Sequence, residues 1–320
     1  MKSRTDILTG GQRLLRVGFG LTLLTILAGY FDVRQIANTL TDIDLRLVTA
    51  AALLIAIATV LGAINAYLLV DLEGRLTYVG FLPLYWLSWA VGLIFPGQVG
   101  DVASLAALLH RRGIKLSASI GRSLADKLVS FVLMLTFAAY GLATLPSFRL
   151  SHDWLTVVPV FLLATAWCCR RRIFQWLNLR YDKMANFAAH TLHEVASVAR
   201  NHPRRLIINI VLTTAKVVFT GASYWCVFRA LGYEGISLWP VIFLAAASSI
   251  VAYLPISFNG IGTVEVTGIM LFSELGLPHT AVLSGYLALR VAVLLLAWIP
   301  AGLWLLATLR QQHRQPFNYS

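Results

Sequence analysis

The chain has 320 residues, of which 58% are hydrophobic and 12% charged, and its formal net charge is +12. A soluble globular domain has roughly 45–50% apolar and about 25% charged residues, and one water-soluble core could not bury such an apolar excess. The basic residues lie in short stretches between apolar runs, which argues against a nucleic-acid-binding protein. The composition therefore predicts an all-α, polytopic membrane protein.

Apolar stretches of about 17–25 residues can cross a hydrocarbon layer of about 30 Å as helices. The sequence contains about eight of them, and they are Leu14–Tyr30, Leu47–Val70, Leu76–Phe95, Ser119–Leu145, Trp154–Cys169, Leu206–Leu231, Leu238–Leu254 and Thr280–Leu309. The first follows several basic residues, but no small-residue cleavage site follows it. We therefore predict an uncleaved first helix and not a signal peptide.

Two further apolar segments, about Gln98–His110 and about Gly260–Leu275, are too short to cross. Each follows a break rich in proline and glycine, Phe95–Asp101 in one case and Pro255–Glu265 in the other. Apolar segments of about 10–14 residues are candidates for re-entrant half-helices. We predict a single membrane domain over residues 1–320 with about eight transmembrane helices and two re-entrant half-helices.

The basic loops predict the orientation of the chain. Lysine and arginine accumulate in cytoplasmic loops of inner-membrane proteins. The lysines and arginines of the basic loops and of the C-terminal tail are Arg111, Arg112, Lys115, Arg170, Arg171, Arg172, Arg180, Lys183, Arg200, Arg204, Arg205, Arg310 and Arg314. With the basic N-terminus, they predict a multi-pass protein of the cell inner membrane with both termini in the cytoplasm.

One cytoplasmic loop has a helical pattern of its own. Between Met184 and Val198, apolar residues recur at helical spacing among polar ones. The pattern fits an amphipathic helix in the membrane interface or, equally, a cytoplasmic helix packed on the bundle. Arg122, near the cytoplasmic end of its span, is predicted to anchor that end at the interface.

The two broken segments resemble each other. The step from Gly113 to Lys127 and the step from Gly276 to Arg290 are both about fourteen residues. Three full spans lie between the first half-helix and the helix that leads into the second break, so the second copy is inverted. Inverted repeats with discontinuous helices are a recurrent plan of secondary transporters, which bind substrate at the breaks. The repeat therefore favours transport.

A helix that begins inside the membrane presents unpaired N–H groups and the positive end of its dipole, which suit an anion such as a lipid phosphate. Ionisable groups at membrane depth are costly and mark functional candidates. The predicted substrate-binding residues are Gly97, Gly100, Asp101, Lys127, Lys216, Asn259, Gly260, Gly262, Glu265 and Arg290.

Each of these charged residues has more than one interpretation. Asp101 and Glu265 either stabilise the start of a half-helix or bind a cationic group, a proton or a base. Internal ion pairs, Asp101 with Lys127 and Glu265 with Arg290, are slightly favoured. Lys216 is either a phosphate contact or the partner of Glu265. We expect no metal site and no cofactor, because the histidines are scattered without paired-ligand spacing.

The Phe95–Asp101 break, the Leu108–Gly113 stretch and the Asp126-Lys127 pair resemble the lysylphosphatidylglycerol synthetase transmembrane-region family, also called the flippase-like domain family. The Gly260–Glu265 break and Arg290 match its second signature. The resemblance implies an inner-membrane domain that, in the multidomain synthases, moves an aminoacylated phospholipid between leaflets. Lys127 stands where the family commonly has arginine, and Asn259 where proline or glycine is commoner. No aminoacyltransferase domain follows, so we expect no lipid aminoacylation.

The leading hypothesis is a lipid translocase that moves a phospholipid or a lipid-linked glycan between leaflets. Its partners would be membrane lipids, and the energy source is not visible because no Walker A loop is present. The alternative is a non-catalytic accessory subunit of a glycosyltransferase or envelope-lipid pathway. An enzyme is not expected, since the sequence has no GxSxG and no His/Asp cluster.

Overall fold

A computed structural model describes residues 43–72, 74–95, 99–145, 182–253 and 260–314. Within these ranges the chain is α-helical with one short 3-10 turn and without β-strands. The predicted spans Leu14–Tyr30 and Trp154–Cys169 lie outside the described residues, as do Gly97 and Asn259.

The described helices follow in chain order and largely match the predicted apolar stretches. They are α1 (Leu45–Val70), α2 (Tyr78–Gly92), α3 (Val99–His110), α4 (Leu116–Thr144), α5 (Asp182–Asn201), α6 (Pro203–Ala230), α7 (Leu238–Ile250), α8 (Thr263–Ser273) and α9 (His279–Arg314). The 3-10 turn Val251–Tyr253 extends α7.

Four of the described helices, α1, α4, α6 and α9, are long and apolar enough to cross a membrane. The predicted short segments are also helical, but α3 has 12 residues and α8 has 11. At a rise of 1.5 Å per residue they are roughly 18 and 16 Å long, well short of the hydrocarbon thickness. The predicted count of about eight crossings therefore extends beyond what these helices establish.

The centre of the helix bundle is the contact between α1 and α6, which a chain of buried amides joins to α4. Asn65 Nδ2 donates to Thr213 Oγ1 at 2.6 Å and to the Asn209 carbonyl at 3.3 Å. Asn209 Nδ2 donates in turn to Asp126 Oδ1 at 2.8 Å. Polar bonds of this kind hold helices together in an apolar solvent, each at about 0.6 to 2 kcal/mol.

The helix α5 packs against α4, as expected for a loop helix that packs on the bundle. Thr191 and Val198 on α5 are buried, and the Cβ of an alanine at Gly121 would lie 2.7 Å from Glu194 Cβ. Gly121 therefore makes room for α5.

Arg122 is not the interface anchor that its position predicts. It is buried, its Nε lies 3.1 Å from Glu194 Oε2, and its Nη1 donates to the Val70 carbonyl at the end of α1. The prediction was wrong because the sequence does not show that α5 folds back and supplies an acid to α4.

The second half of the bundle has the larger apolar core. Phe228 on α6, Phe272 on α8 and Leu283 on α9 are buried there against residues of α7. Because α7 and α8 are packed into this core on both sides of the break, the start of α8 is held at a fixed place between α7 and α9.

Candidate functional site

The first ion pair joins the short helix α3 to α4. Lys127 Nζ lies 2.5 Å from Asp101 Oδ2, and both side chains keep about a quarter of their surface accessible, at 25% and 23%. Asp101 Oδ1 accepts from the Val102 N–H, so the carboxylate also caps the first turn of α3. The end of α2 lies against this turn, because a Cβ at Gly92 would be 2.7 Å from Asp101 Cβ.

The second ion pair joins the short helix α8 to α9 and is more deeply buried. Glu265 has no exposed surface, and its Oε1 accepts from Arg290 Nε at 2.7 Å and Nη2 at 2.5 Å. Its other oxygen, Oε2, accepts from the Gly262 N–H at 2.7 Å. This backbone N–H, which the sequence predicts to face a ligand, is therefore occupied by a side chain of the protein itself.

Both ion pairs predicted from the sequence are thus present, and they have equivalent positions. Each links an acid in the first turn of a short helix to a base in the next helix, at separations of 26 and 25 residues. Of the two alternatives for Lys216, pairing with Glu265 is not what the structure has, since Glu265 accepts from Arg290 at Oε1 and from the Gly262 N–H at Oε2.

One cavity of about 370 Å³ brings the two pairs together. Asp101 and Lys127 of the first pair line it, and so do Glu265 and Arg290 of the second. A smaller space of about 40 Å³ continues from it between α2, α3, α4 and α6, where Asp126 and Ser123 lie. That space has room for a few water molecules, which suits the buried Ser123 hydroxyl, because it has no protein partner in the described chain.

Lys216 on α6 lines both spaces and differs from the other two cations. Among the described residues, its ammonium forms no hydrogen bond and no ion pair. Its stem passes Gly62 of α1, where an added Cβ would lie 3.6 Å from Lys216 Cδ. The described residues that line the larger cavity comprise three cationic and two anionic side chains, and a third acid, Asp126, lies with Lys127 and Lys216 in the adjoining smaller space.

Tyrosine hydroxyls are the part of the cavity that sequence reasoning missed. Tyr85, Tyr224 and Tyr253 line it, and none of their hydroxyls has a hydrogen-bond partner in the described part of the chain. Tyr286 also lines it, with its hydroxyl 2.6 Å from Ser248 Oγ. The sequence offered little indication of this, because a tyrosine in an apolar span resembles the aromatic residues that lie at membrane interfaces. Of these tyrosines, Tyr253 alone lies just before a break.

The predicted glycines of the breaks contribute by lacking a Cβ at a close contact or by adopting a positive φ. A Cβ at Gly100 would meet the Phe95 ring at 2.7 Å, so this glycine permits the close approach of Phe95 to the first turn of α3. Gly260 and Gly262 have φ values of +72° and +80°, a left-handed conformation that favours glycine. Both glycines position Glu265 at the start of α8.

The cavity also has an apolar side that includes an exposed residue of α9. Leu294 on α9 lines the cavity and is 43% exposed, and Met134 on α4 and Leu93 after α2 extend the apolar wall. Next to Leu93, α2 and α9 meet through the buried Ala90 and Ala297. Charged and hydroxyl groups and an open apolar wall thus occur in one space.

The sequence matches a family model, that of the lysylphosphatidylglycerol synthase transmembrane region, over residues 13–301. The chain belongs to this family. The resemblance carried by the two breaks and their acid and base residues is thereby confirmed, and the lysylphosphatidylglycerol synthase transmembrane-region family connects the protein with membrane lipids. The chain matches no curated protein.

In this member of the lysylphosphatidylglycerol synthase transmembrane-region family, the two acid-base pairs of the motifs line the cavity. Of the ten predicted site residues, Asp101, Lys127, Lys216, Glu265 and Arg290 do so. Family membership and the four long apolar helices together identify a membrane protein.

Proposed function

We propose that the protein is a lipid translocase, and that the cavity between the two ion pairs receives a phospholipid headgroup while the acyl chains stay in the bilayer. The observation that carries the proposal is the single cavity of about 370 Å³ lined by Lys127, Arg290 and Lys216. Its size lies at the low end of pockets that bind small molecules, about 300–1,000 Å³. A phosphate group is a suitable ligand for such cations.

The apolar wall supports a lipid in preference to a soluble solute. Leu93, Met134 and Leu294 line the cavity beside its charged groups, and Leu294 is also exposed on the outside of the bundle, so the first carbons of an acyl chain would remain in apolar surroundings. An apolar wall would not contribute to the binding of a soluble anion. A lipid needs it, because its headgroup and its chains must be accommodated at the same time.

The short helices α3 and α8 are proposed to be re-entrant halves of an inverted repeat, inside a protein with about eight crossings. Their lengths, roughly 18 and 16 Å, support this, as does the equal spacing of the two ion pairs. We further propose that the protein lies in the inner membrane with both termini in the cytoplasm, and that it acts on lipids without changing them chemically.

The experiment is leaflet exchange in liposomes containing the purified protein and a trace of phospholipid labelled on an acyl chain. We expect Gly62→Leu to reduce exchange to the rate of protein-free liposomes. At Gly62 a Cβ alone would lie 2.6 Å from Tyr85 Oη and 3.6 Å from Lys216 Cδ, so a leucine displaces both groups into the cavity.

Gly302→Leu is the matched control, since Gly302 is also helical and a Cβ added there would have no neighbour within 4 Å. We expect exchange within about twofold of the wild type, the range of surface substitutions. If the wild type exchanges no lipid faster than empty liposomes, the proposal is wrong. Copurification of a glycosyltransferase under those conditions would instead favour an accessory subunit.

A further inference from the structure

The acids and bases that line the two connected spaces balance each other in charge. These side chains are Asp101, Asp126, Glu265, Lys127, Lys216 and Arg290. When all of them are ionised, the described lining carries no net charge. An anion that enters such a lining adds a negative charge that is removed from water without a counter-ion, which is costly. The occupied cavity therefore needs one more positive charge than the empty cavity.

Four of these side chains are committed to the ion pairs that hold the short helices. Lys127 contacts Asp101, which also accepts from the Val102 N–H. Arg290 contacts Glu265 through two nitrogens. A proton on either of these acids would weaken an ion pair between a short helix and the next helix. Neither acid is thus well placed to gain and lose a proton while the fold is maintained.

Asp126 on α4 and Lys216 on α6 are the remaining acid and base, and they are engaged differently. Asp126 Oδ1 accepts from Asn209 Nδ2 at 2.8 Å, whereas Oδ2 receives no hydrogen bond from any described residue. The Lys216 ammonium has neither a hydrogen bond nor an ion pair within the described ranges. Both side chains line the smaller space. The acid and the base are therefore neighbours without direct contact.

The smaller space is suited to water that bridges this acid and base. Its volume of about 40 Å³ has room for a few water molecules. The buried Ser123 hydroxyl, which has no protein partner in the described chain, also borders it. Lys216 and Tyr85 line both spaces, so hydrogen-bonded water can connect them. A proton can thus reach Asp126 from the larger cavity.

The other ionisable groups around this acid and base come from most of the helices packed there. They are Tyr85 of α2, Asp101 of α3, Lys127 of α4, Tyr224 of α6, Tyr253 after α7, Glu265 of α8, and Tyr286 and Arg290 of α9. The described residues of α1 and α5 contribute none to either space. The charged neighbours are paired with each other, and tyrosine is neutral near pH 7. Asp126 and Lys216 are therefore the two groups whose proton content can change without breaking an ion pair.

We propose, as an extension that rests on the translocase function, that Asp126 and Lys216 form a proton-binding site, and that the protein takes up a proton together with an anionic, phosphate-bearing headgroup. A hydronium ion gives its proton to Asp126 Oδ2 and leaves as water, so the carboxylate becomes a carboxylic acid. Oδ1 keeps its bond from Asn209. Lys216 keeps its positive charge and binds the phosphate without competition from a neighbouring carboxylate.

The occupied cavity is then neutral again, and release of the headgroup returns the proton to water. The bound proton belongs to the acid and the base jointly, because two ionisable groups so close titrate as one unit. A proton gradient across the membrane is thereby a source of energy for transfer.

The first test is the pH dependence of leaflet exchange in liposomes with equal internal and external pH. The probe is phosphatidylglycerol labelled on an acyl chain, whose phosphodiester keeps its charge over the range used. From about pH 8 to about pH 6, wild-type exchange should rise by up to roughly tenfold per pH unit, as expected for one bound proton. Asp126→Asn keeps an acceptor for Asn209 and mimics the protonated acid, so its exchange should vary by less than about twofold. Glu234→Gln, in an exposed loop, should keep the wild-type dependence.

The second test measures proton uptake directly, with a pH-sensitive dye and the purified protein in weakly buffered detergent. Binding of dioctanoyl phosphatidylglycerol should take up about one proton per bound lipid in the wild type and none in Asp126→Asn. Dimethyl phosphate, a soluble phosphodiester of the same charge, should cause no uptake. Equal uptake with dimethyl phosphate would assign the proton site to a soluble phosphate and overturn the lipid function.

Thermal unfolding in detergent is the folding control for both variants. Exchange by the wild type that does not depend on pH, a pH dependence that Asp126→Asn retains, or lipid binding without proton uptake would overturn the inference and leave the translocase function standing. No exchange at any pH would overturn the translocase function, and wild-type proton uptake would still decide whether the proton site exists.

Discussion

Replacing Glu265 with alanine is expected to lower the free energy of unfolding by about 3–5 kcal/mol, the cost of breaking a buried ion pair by removing one partner. Glu265 is fully buried and receives two bonds from Arg290 and one from the Gly262 N–H. Its loss leaves a guanidinium and a backbone N–H without their acceptor. Denaturant unfolding in mixed micelles measures the change.

The double variant Glu265→Leu, Arg290→Leu distinguishes an unpaired charge from a simple loss of packing. Replacement of a whole buried pair by apolar residues is often neutral or stabilising. We therefore expect the double variant to be markedly more stable than Glu265→Ala. Glu234→Ala, in an exposed loop, should leave stability unchanged and serves as the control. A double variant as unstable as the single one would contradict the role assigned to the pair.

The second large effect is expected at Gly260, at the turn into α8. Alanine there would adopt a φ of +72°, which costs roughly 1–2 kcal/mol. Its Cβ would also collide with Val264 Cγ2 and lie 3.0 Å from Ala252 Cβ, adding about 1–3 kcal/mol of overpacking. The same unfolding measurement should therefore show a loss of about 2–5 kcal/mol.

Gly276→Ala is the matched control because Gly276 has a φ of +80° and nothing within 4 Å of the added Cβ. It should show the conformational cost alone. The difference between the two variants then isolates the close contact between the turn and the end of α7. Equal losses at both positions would show that the turn is not tightly packed and that α8 is not held at a fixed position.

Hydropathy predicts the long helices well because lipid as a solvent imposes one simple rule on them. The starts of α1, α4, α6 and α9 lie within about three residues of the predicted ones. The two ion pairs are also predictable, since the acid-to-base interval is repeated and buried charges need partners. These features depend on composition and on spacing along the chain.

The other contacts of the site depend on how the helices are rotated against each other. The spacing of residues along the sequence does not determine that rotation. Lys216 is kept from Glu265 by Arg290, and its stem lies along α1 because Gly62 has no side chain there. Arg122 is paired with Glu194 only because α5 returns to pack on α4. The hydroxyl lining of the cavity has the same origin, since tyrosines from α2, α6 and the turn after α7 meet only in the folded bundle.

The most direct test of the account is whether the cavity is the route of the headgroup. Ser249 lines the cavity at the end of α7, and Leu303 on α9 is 64% exposed on the apolar surface. Each is changed to cysteine in a variant in which Cys168, Cys169 and Cys226 have been replaced. A charged, water-soluble methanethiosulfonate is then applied to the liposomes during lipid exchange. We expect Ser249→Cys to react and exchange to stop, while Leu303→Cys stays unreactive and active. Full modification of Ser249→Cys with unchanged exchange would contradict the proposed route.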